Sequence, residues 1–225
     1  MGIALPQVVT EDRASGAQVI DGGLEFDSGS SNYLNRTPGS ASNRRTWTAS
    51  FWTKYTPSGS TKQTFIQCRV SSNTDDTGIG VENDKIRVVT GSADAYITKR
   101  VIRDPSGWYH VVVIFDTTRA TNSDRVRVYV NGELDTGGTA SYPNQNTEWS
   151  INTTSLHAIG RHEGADTQYL NSKLSQFYLI DGLALGPGYF GFTDPLTGTW
   201  RPKKFRAEGT TVNDGTVWSL SLIHI

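Results

Sequence analysis

The stretch Gly107–Leu134, GWYHVVVIFDTTRATNSDRVRVYVNGEL, constrains the fold more than any other part of this 225-residue chain. An apolar run, Val111 to Phe115, follows Trp108, and a polar loop separates it from an alternating segment. In that segment Val126, Val128 and Val130 face one way and Arg125, Arg127 and Tyr129 the other. Asn131-Gly132 then offers the two positive-φ residues that a type I′ hairpin requires. A continuous apolar strand beside a half-exposed one predicts a buried central strand in an antiparallel sandwich.

Composition agrees. Gly is frequent (23 residues), helix-period segments are nearly absent, and Thr, Ser, Asn and Val dominate, which suits an all-β chain. A chain of this length buries roughly 70% of its unfolded surface, so it needs neither disulfide nor metal to fold. The single cysteine, Cys68, excludes an internal disulfide and is expected to be a small core residue. A net charge of −1 argues against a nucleic-acid partner. No segment approaches the roughly 20 apolar residues of a membrane span. The first twenty residues, which include Glu11, Asp12 and Arg13, contain no signal-peptide core.

Along the chain, residues 1–20 are expected to form an arm or linker, residues 21–190 one β-sandwich, and residues 191–225 a Gly/Pro-rich extension. In Trp47–Thr53, Trp47, Ala49 and Phe51 alternate inward, with Trp52 on the opposite face. Segments 64–70, 78–82, 85–90 and 96–103 read as further strands, Asn83-Asp84 turning the second into the third. The segment NRTPGSASNRR (35–45) is a loop with a basic end, and 135–154 is a long polar loop of a length that is more often functional than idle. Segments 156–161 and 174–180 close a jelly roll of about a dozen strands. In the basic run Arg201–Arg206, a solvated linker with Phe205 tucked onto the sandwich is preferred over an anion site. The terminal SLSLIHI is expected to be a truncated or misread end, an edge strand being the alternative.

Three segments in order resemble the laminin-G-like, pentraxin-like and concanavalin-A-like jelly rolls: WTASFW (47–52), GWYHVVVIFD with VRVYVNGEL (107–134), and LHAIGRHEGAD with LSQFYLIDGLAL (156–185). The resemblance implies an antiparallel β-sandwich that binds sugars, lipids or proteins through loops; it does not select the ligand. A second resemblance is narrower. YLNRTPGSASNRRTWTASFWTK and IDGLALGPGYFGFTDPLTGTWRPKKF are similar to structural proteins of phages, often marine, that carry such lectin-like domains in tail fibres or other virion appendages. It implies a virion location with assembly in the host cytoplasm, other virion proteins as partners, and homo-oligomers. Thr210–Trp218, TTVNDGTVW, departs from that pattern.

The pentraxin-like resemblance also implies a calcium site. Calcium takes about six to eight loop oxygens, and the family places acidic clusters where this chain has Asn73–Asp76 and Gly160–Asp166. Asp75, Asp76, Glu163 and Asp166 are the candidate ligands, although His162 and Gly164-Ala165 interrupt the acidic run. Ordinary Asn/Asp turn chemistry is the preferred alternative.

A glycan surface is read from the 135–154 loop, where Tyr142, Asn144, Gln145, Asn146 and Trp149 combine flat amphipathic rings with amides. For Trp149 alone, pinning the loop onto the core is the alternative. Hydrolysis by the retaining route of this fold needs Glu-x-Asp-x-x-Glu. Glu25-Phe26-Asp27 is followed by Ser30 and Glu133-Leu134-Asp135 by Gly138, so both fail. The four histidines form no triad. The Asn-x-Thr matches at Asn35 and Asn152 are read as coincidental. The chain is therefore expected to be a non-enzymatic module binding host-surface glycan through loops around 73–76, 137–149 and 161–168. A glycan-cleaving depolymerase and a ligand-free structural domain are the alternatives.

Overall fold

The computed structural model describes residues 17, 18, 20, 22–70, 76–163 and 167–205, and the backbone of 218–220. The strands are β1 (Leu24–Phe26), β2 (Leu34–Arg36), β3 (Thr46–Tyr55), β4 (Gln63–Cys68), β5 (Thr77–Glu82), β6 (Lys85–Thr90), β7 (Ala93–Val101), β8 (Tyr109–Asp116), β9 (Val126–Val130), β10 (Glu133–Leu134), β11 (Thr139–Ala140), β12 (His157–Ile159), β13 (Ser172–Asp181), β14 (Gly191–Thr193), β15 (Trp200–Pro202) and β16 (Trp218–Leu220). A first sheet runs β1-β13-β3-β8-β9-β10, with β16 also beside β13. A second runs β11-β7-β6-β5-β4-β12-β2. All pairings within them are antiparallel. Among the described residues no helix is long and apolar enough to cross a membrane.

The central hairpin has the expected form. Asn131 and Gly132 take φ of 52° and 81°, and Val126, Val128 and Val130 pair with Phe115, Val113 and Val111, all buried in the core between the sheets. From β3, Trp47 stacks on Phe115 at 4.9 Å, and Phe51 lies between Phe65 (4.8 Å) and Phe177 (5.5 Å). These rings and the β-branched residues fill the space between the pleated faces, which is where sheet stability arises. Cys68 is part of this core, and burial pushes its thiol up to about 11.

A second apolar cluster lies on the outer face of the first sheet. Val112, Ile114 and Ile180 point away from the core and are covered by Leu185 and Phe190, with Phe205 packed against them. Phe205 stacks on Phe190 at 5.1 Å, as expected of a tucked residue. This cover includes a hairpin, β14 with β15, in a stretch read from the sequence as a Gly/Pro-rich extension. Likewise Thr139–Ala140, inside the expected polar loop, pair with β7. Strands of two or three residues carry no alternation to read, and the partner of Thr139 is the distant Ile97.

Trp200 of β15 reaches the central strand. Its indole N–H donates to His110 Nδ1 at 2.9 Å. An indole nitrogen only donates, so Nδ1 is unprotonated, and the Nε2–H donates to Ser50 Oγ at 3.0 Å. His110 is thus a satisfied, neutral histidine. Burial lowers its pKa to about 3.

Candidate ligand-binding rim

One end of the sandwich is formed where Thr46 meets Asp116, Trp47 meets Asp181 and Cys68 meets Thr77 across their ladders. The loops expected to carry recognition gather there. Residues 143–153 are fastened by Asn146 N–H to Thr117 O (2.8 Å), Ser150 N–H to Thr77 Oγ1 (3.1 Å) and Ser150 Oγ to Cys68 O (2.5 Å). Asn152, in the left-handed region at φ 67°, donates through Nδ2 to Asn43 O and Asp181 Oδ1. Its N–H donates to His157 Nε2 at 3.0 Å, and His157 Nδ1–H therefore donates to Ser155 O. Burial, the main cause, holds the His157 pKa down at about 4.

The loop through 161–163 meets Asp76, the residue that leads into β5. His162 Nε2 lies 3.6 Å from Asp76 Oδ2, and Gln67 Nε2 donates to the same oxygen at 3.0 Å. Arg69 Nε stands 3.8 Å from Asp76 Oδ1. Arg161 donates to Glu163 at 2.9 Å and lies over the Tyr33 ring, 3.8 Å from its centroid. Burial, with Arg69 second, pushes the His162 pKa down. Gln67 Oε1 and His162 Nδ1 are buried without a hydrogen-bond partner.

Of the four calcium candidates, Asp75 and Asp166 lie outside the described residues. Asp76 and Glu163 each face an arginine, and among the described residues no three His, Cys, Asp or Glu side chains gather. The described carboxylates alone therefore do not fit a calcium ion, which wants several oxygens and no adjacent cation.

In the polar loop, Tyr142 and Trp149 are half-buried and pack against the core, Tyr142 stacking on Tyr96 at 6.2 Å. Asn144, Gln145 and Asn146 are exposed. The loop thus presents amides more openly than rings.

A feature not foreseen is the pairing of Arg44 and Arg45 with Glu148. Arg44 Nη1 lies 3.2 Å from Glu148 Oε2, and Arg45 Nη2 lies 3.0 Å from Oε1. Asn43 builds the turn that presents both arginines, its Oδ1 accepting from Arg45 N–H and Thr46 N–H. The basic end of the 35–45 loop was the signal; its partner lies 103 residues on and leaves no local trace.

With this geometry in place, the family model Laminin_G_3, of the concanavalin A-like lectin/glucanases superfamily, matches residues 27–185. The chain belongs to this family. This laminin G-type chain shares 10% identity with mouse laminin α1 domains LG4-5 over 93% of its own length and 49% of the laminin chain, with a TM-score of 0.53. A heptameric SAP-like pentraxin from Limulus polyphemus is 17% identical over 65% of this chain and 68% of the pentraxin (TM-score 0.47). The Trypanosoma rangeli sialidase, in complex with the inhibitor DANA, is 19% identical over 64% of this chain and 22% of its own (TM-score 0.46). The likeness to the laminin chain is one of fold. The chain spans about half of the laminin chain. No curated protein matches it.

Proposed function

We propose that this laminin G-type domain is a non-catalytic glycan-binding module, and that its setting is a phage virion appendage recognising the host surface. The observation that carries the binding reading is the meeting at one end of Asp76, residues 161–163 and the 143–153 segment. His162 contacts Asp76, and Ser150 ties the 137–149 loop to the strand ends beside Asp76. Polar groups of different loops on a rigid β scaffold are the usual construction of a recognition surface. The virion setting rests on the resemblance of segments 33–54 and 180–205 alone. Binding per domain is weak, and repeated copies supply avidity.

The non-catalytic reading draws support from two carboxylates. Asp27 Oδ1 and Oδ2 accept from Gly29 N–H and Ser30 Oγ inside a turn. Asp135 is buried and accepts from Tyr96 Oη–H and the N–H groups of Lys99 and Arg100. Both carboxylates thus serve local structure, Asp27 a turn and Asp135 the edge of β7. Calcium enters the proposal through Asp75 and Asp166, which would have to complete the set begun by Asp76 and Glu163.

The test is binding of the purified chain to a glycan array, with calcium and with EGTA, beside an assay for new reducing ends on polysaccharide. Glycan binding without cleavage is expected, and loss of signal in His162→Ala places it on this rim. New reducing ends would establish the depolymerase instead, and an array blank in both buffers would leave a structural domain. Binding unchanged by EGTA removes calcium.

A further inference from the structure

We propose that the rim selects acidic glycans, and that Glu148 holds the place a ligand carboxylate or sulfate takes; this rests on the glycan-binding reading above. Two guanidinium groups converge on one carboxylate: Arg44 through Nη1 at 3.2 Å, Arg45 through Nη2 at 3.0 Å and Nε at 3.1 Å. Among themselves the three side chains carry a net charge of +1. Among the described residues neither arginine makes another ion pair. Of the buried carboxylates at this end, Asp116 accepts from Thr46 and Thr118, Asp181 from Asn43 and Asn152, and Asp76 faces Arg69 and Gln67.

The pair is positioned but not sealed. Arg44 Nε donates to Trp149 O at 2.8 Å, which fixes it against the loop, and the Asn43 turn fixes Arg45. Glu148 and Arg45 nevertheless keep 44% and 46% of their side chains exposed. An ion pair this open contributes little to stability, so its carboxylate is exchanged at small cost. A planar guanidinium presents parallel N–H donors that match a carboxylate or sulfate, whereas a neutral hydroxyl uses one of them and none of the charge. The exposed amides of Asn144 and Asn146, two to four residues before Glu148, suit the remaining hydroxyls.

The test compares wild-type chain with Arg45→Gln, Arg45→Lys and Glu148→Gln on an array of neutral, uronate-bearing and sulfated glycans, at about 50 and 300 mM NaCl. Acidic glycans are expected to dominate the bound set and to weaken with salt. Arg45→Gln lowers their affinity by about tenfold, Arg45→Lys by less, and Glu148→Gln raises it by removing the internal competitor. A bound set dominated by neutral glycans, an inert Arg45→Gln, or weaker binding in Glu148→Gln overturns acid selectivity and leaves glycan binding standing. An array with no bound glycan overturns both. Thermal melting checks the fold of each variant; should Arg45→Gln melt early, the sign of the Glu148→Gln effect decides.

Discussion

Trp200 and His110, 90 residues apart, share a 2.9 Å hydrogen bond that ties the β14–β15 hairpin to the central strand of the first sheet. The imidazole is also stacked between Trp52 (centroids 4.8 Å) and Trp200 (5.9 Å). Replacing the indole by phenyl keeps much of the stacking but leaves Nδ1 buried without its donor. Trp200→Phe is therefore expected to destabilise by about 1–3 kcal/mol, read from chemical denaturation. A loss below a few tenths would mean that the bond contributes nothing.

Acid should weaken the domain chiefly through two histidines, with the lowered His162 adding in the same direction. His110 and His157 have folded pKa values of about 3 and about 4, below the ordinary 6.5, mainly because burial disfavours their charged forms. Below pH 6.5 the unfolded chain takes up protons that the folded chain refuses. Stability is full above that pH and falls by up to about 1.4 kcal/mol per pH unit for each histidine. The loss ends near pH 4 for His157 and near pH 3 for His110. The lowered carboxylates Asp27, Asp104 and Asp194 titrate only beneath 3.8 and add to the slope there. Urea midpoints at pH 7, 6 and 5 measure this, and a flat profile refutes it.

Gly132 and Gly137 separate two costs of a side chain. Their φ angles are 81° and 80°, so alanine carries the same left-handed strain of about 1 kcal/mol at either. A Cβ at Gly137 meets only Lys99 Cδ, at 3.8 Å, while one at Gly132 runs into the Trp200 ring. Gly132→Ala should therefore lower the melting temperature well beyond Gly137→Ala. Equal shifts would show that Trp200 yields freely.

Asp135 closes the edge of β7. Its carboxylate accepts from Lys99 N–H and Arg100 N–H, each at 2.9 Å, and from the Tyr96 hydroxyl, whose pKa rises to about 12, first through burial and then through this carboxylate. Asp135→Ala leaves two backbone donors without partners, while the Tyr96 hydroxyl keeps the Asp135 carbonyl at 2.9 Å, and should cost about 2–4 kcal/mol. The same variant should titrate Tyr96 at lower pH, which ultraviolet difference spectra report. It should also self-associate more readily, because an uncapped edge is a template for pairing.

The sandwich was legible because its central strands follow simple rules. Val126, Val128 and Val130 alternate, Asn131-Gly132 can adopt positive φ, and Trp47 and Phe51 sit two pleats apart. Resemblance ordered the strands on either side of Asp76 and His162 but left open whether the two would meet, as they do at 3.6 Å. The residues that make the rim specific were not legible. Arg44, Arg45 and Glu148 meet only because the turn at Asn43 and the bonds of Asn152 bring distant loops together. The outer aromatic cluster was hidden for a similar reason: Phe190, Trp200 and Phe205 are single rings in a Gly/Pro-rich stretch, with no period to mark a buried face.

That outer cluster decides where this protein can be cut. A clone trimmed to the family match at Leu185 would strip Phe190, Trp200 and Phe205 from the back of the first sheet. Val112, Ile114 and Ile180 would then face water as a greasy panel, and His110 would lose its indole lid. Such a fragment should precipitate on expression, while one carried through Phe205 keeps its back sealed.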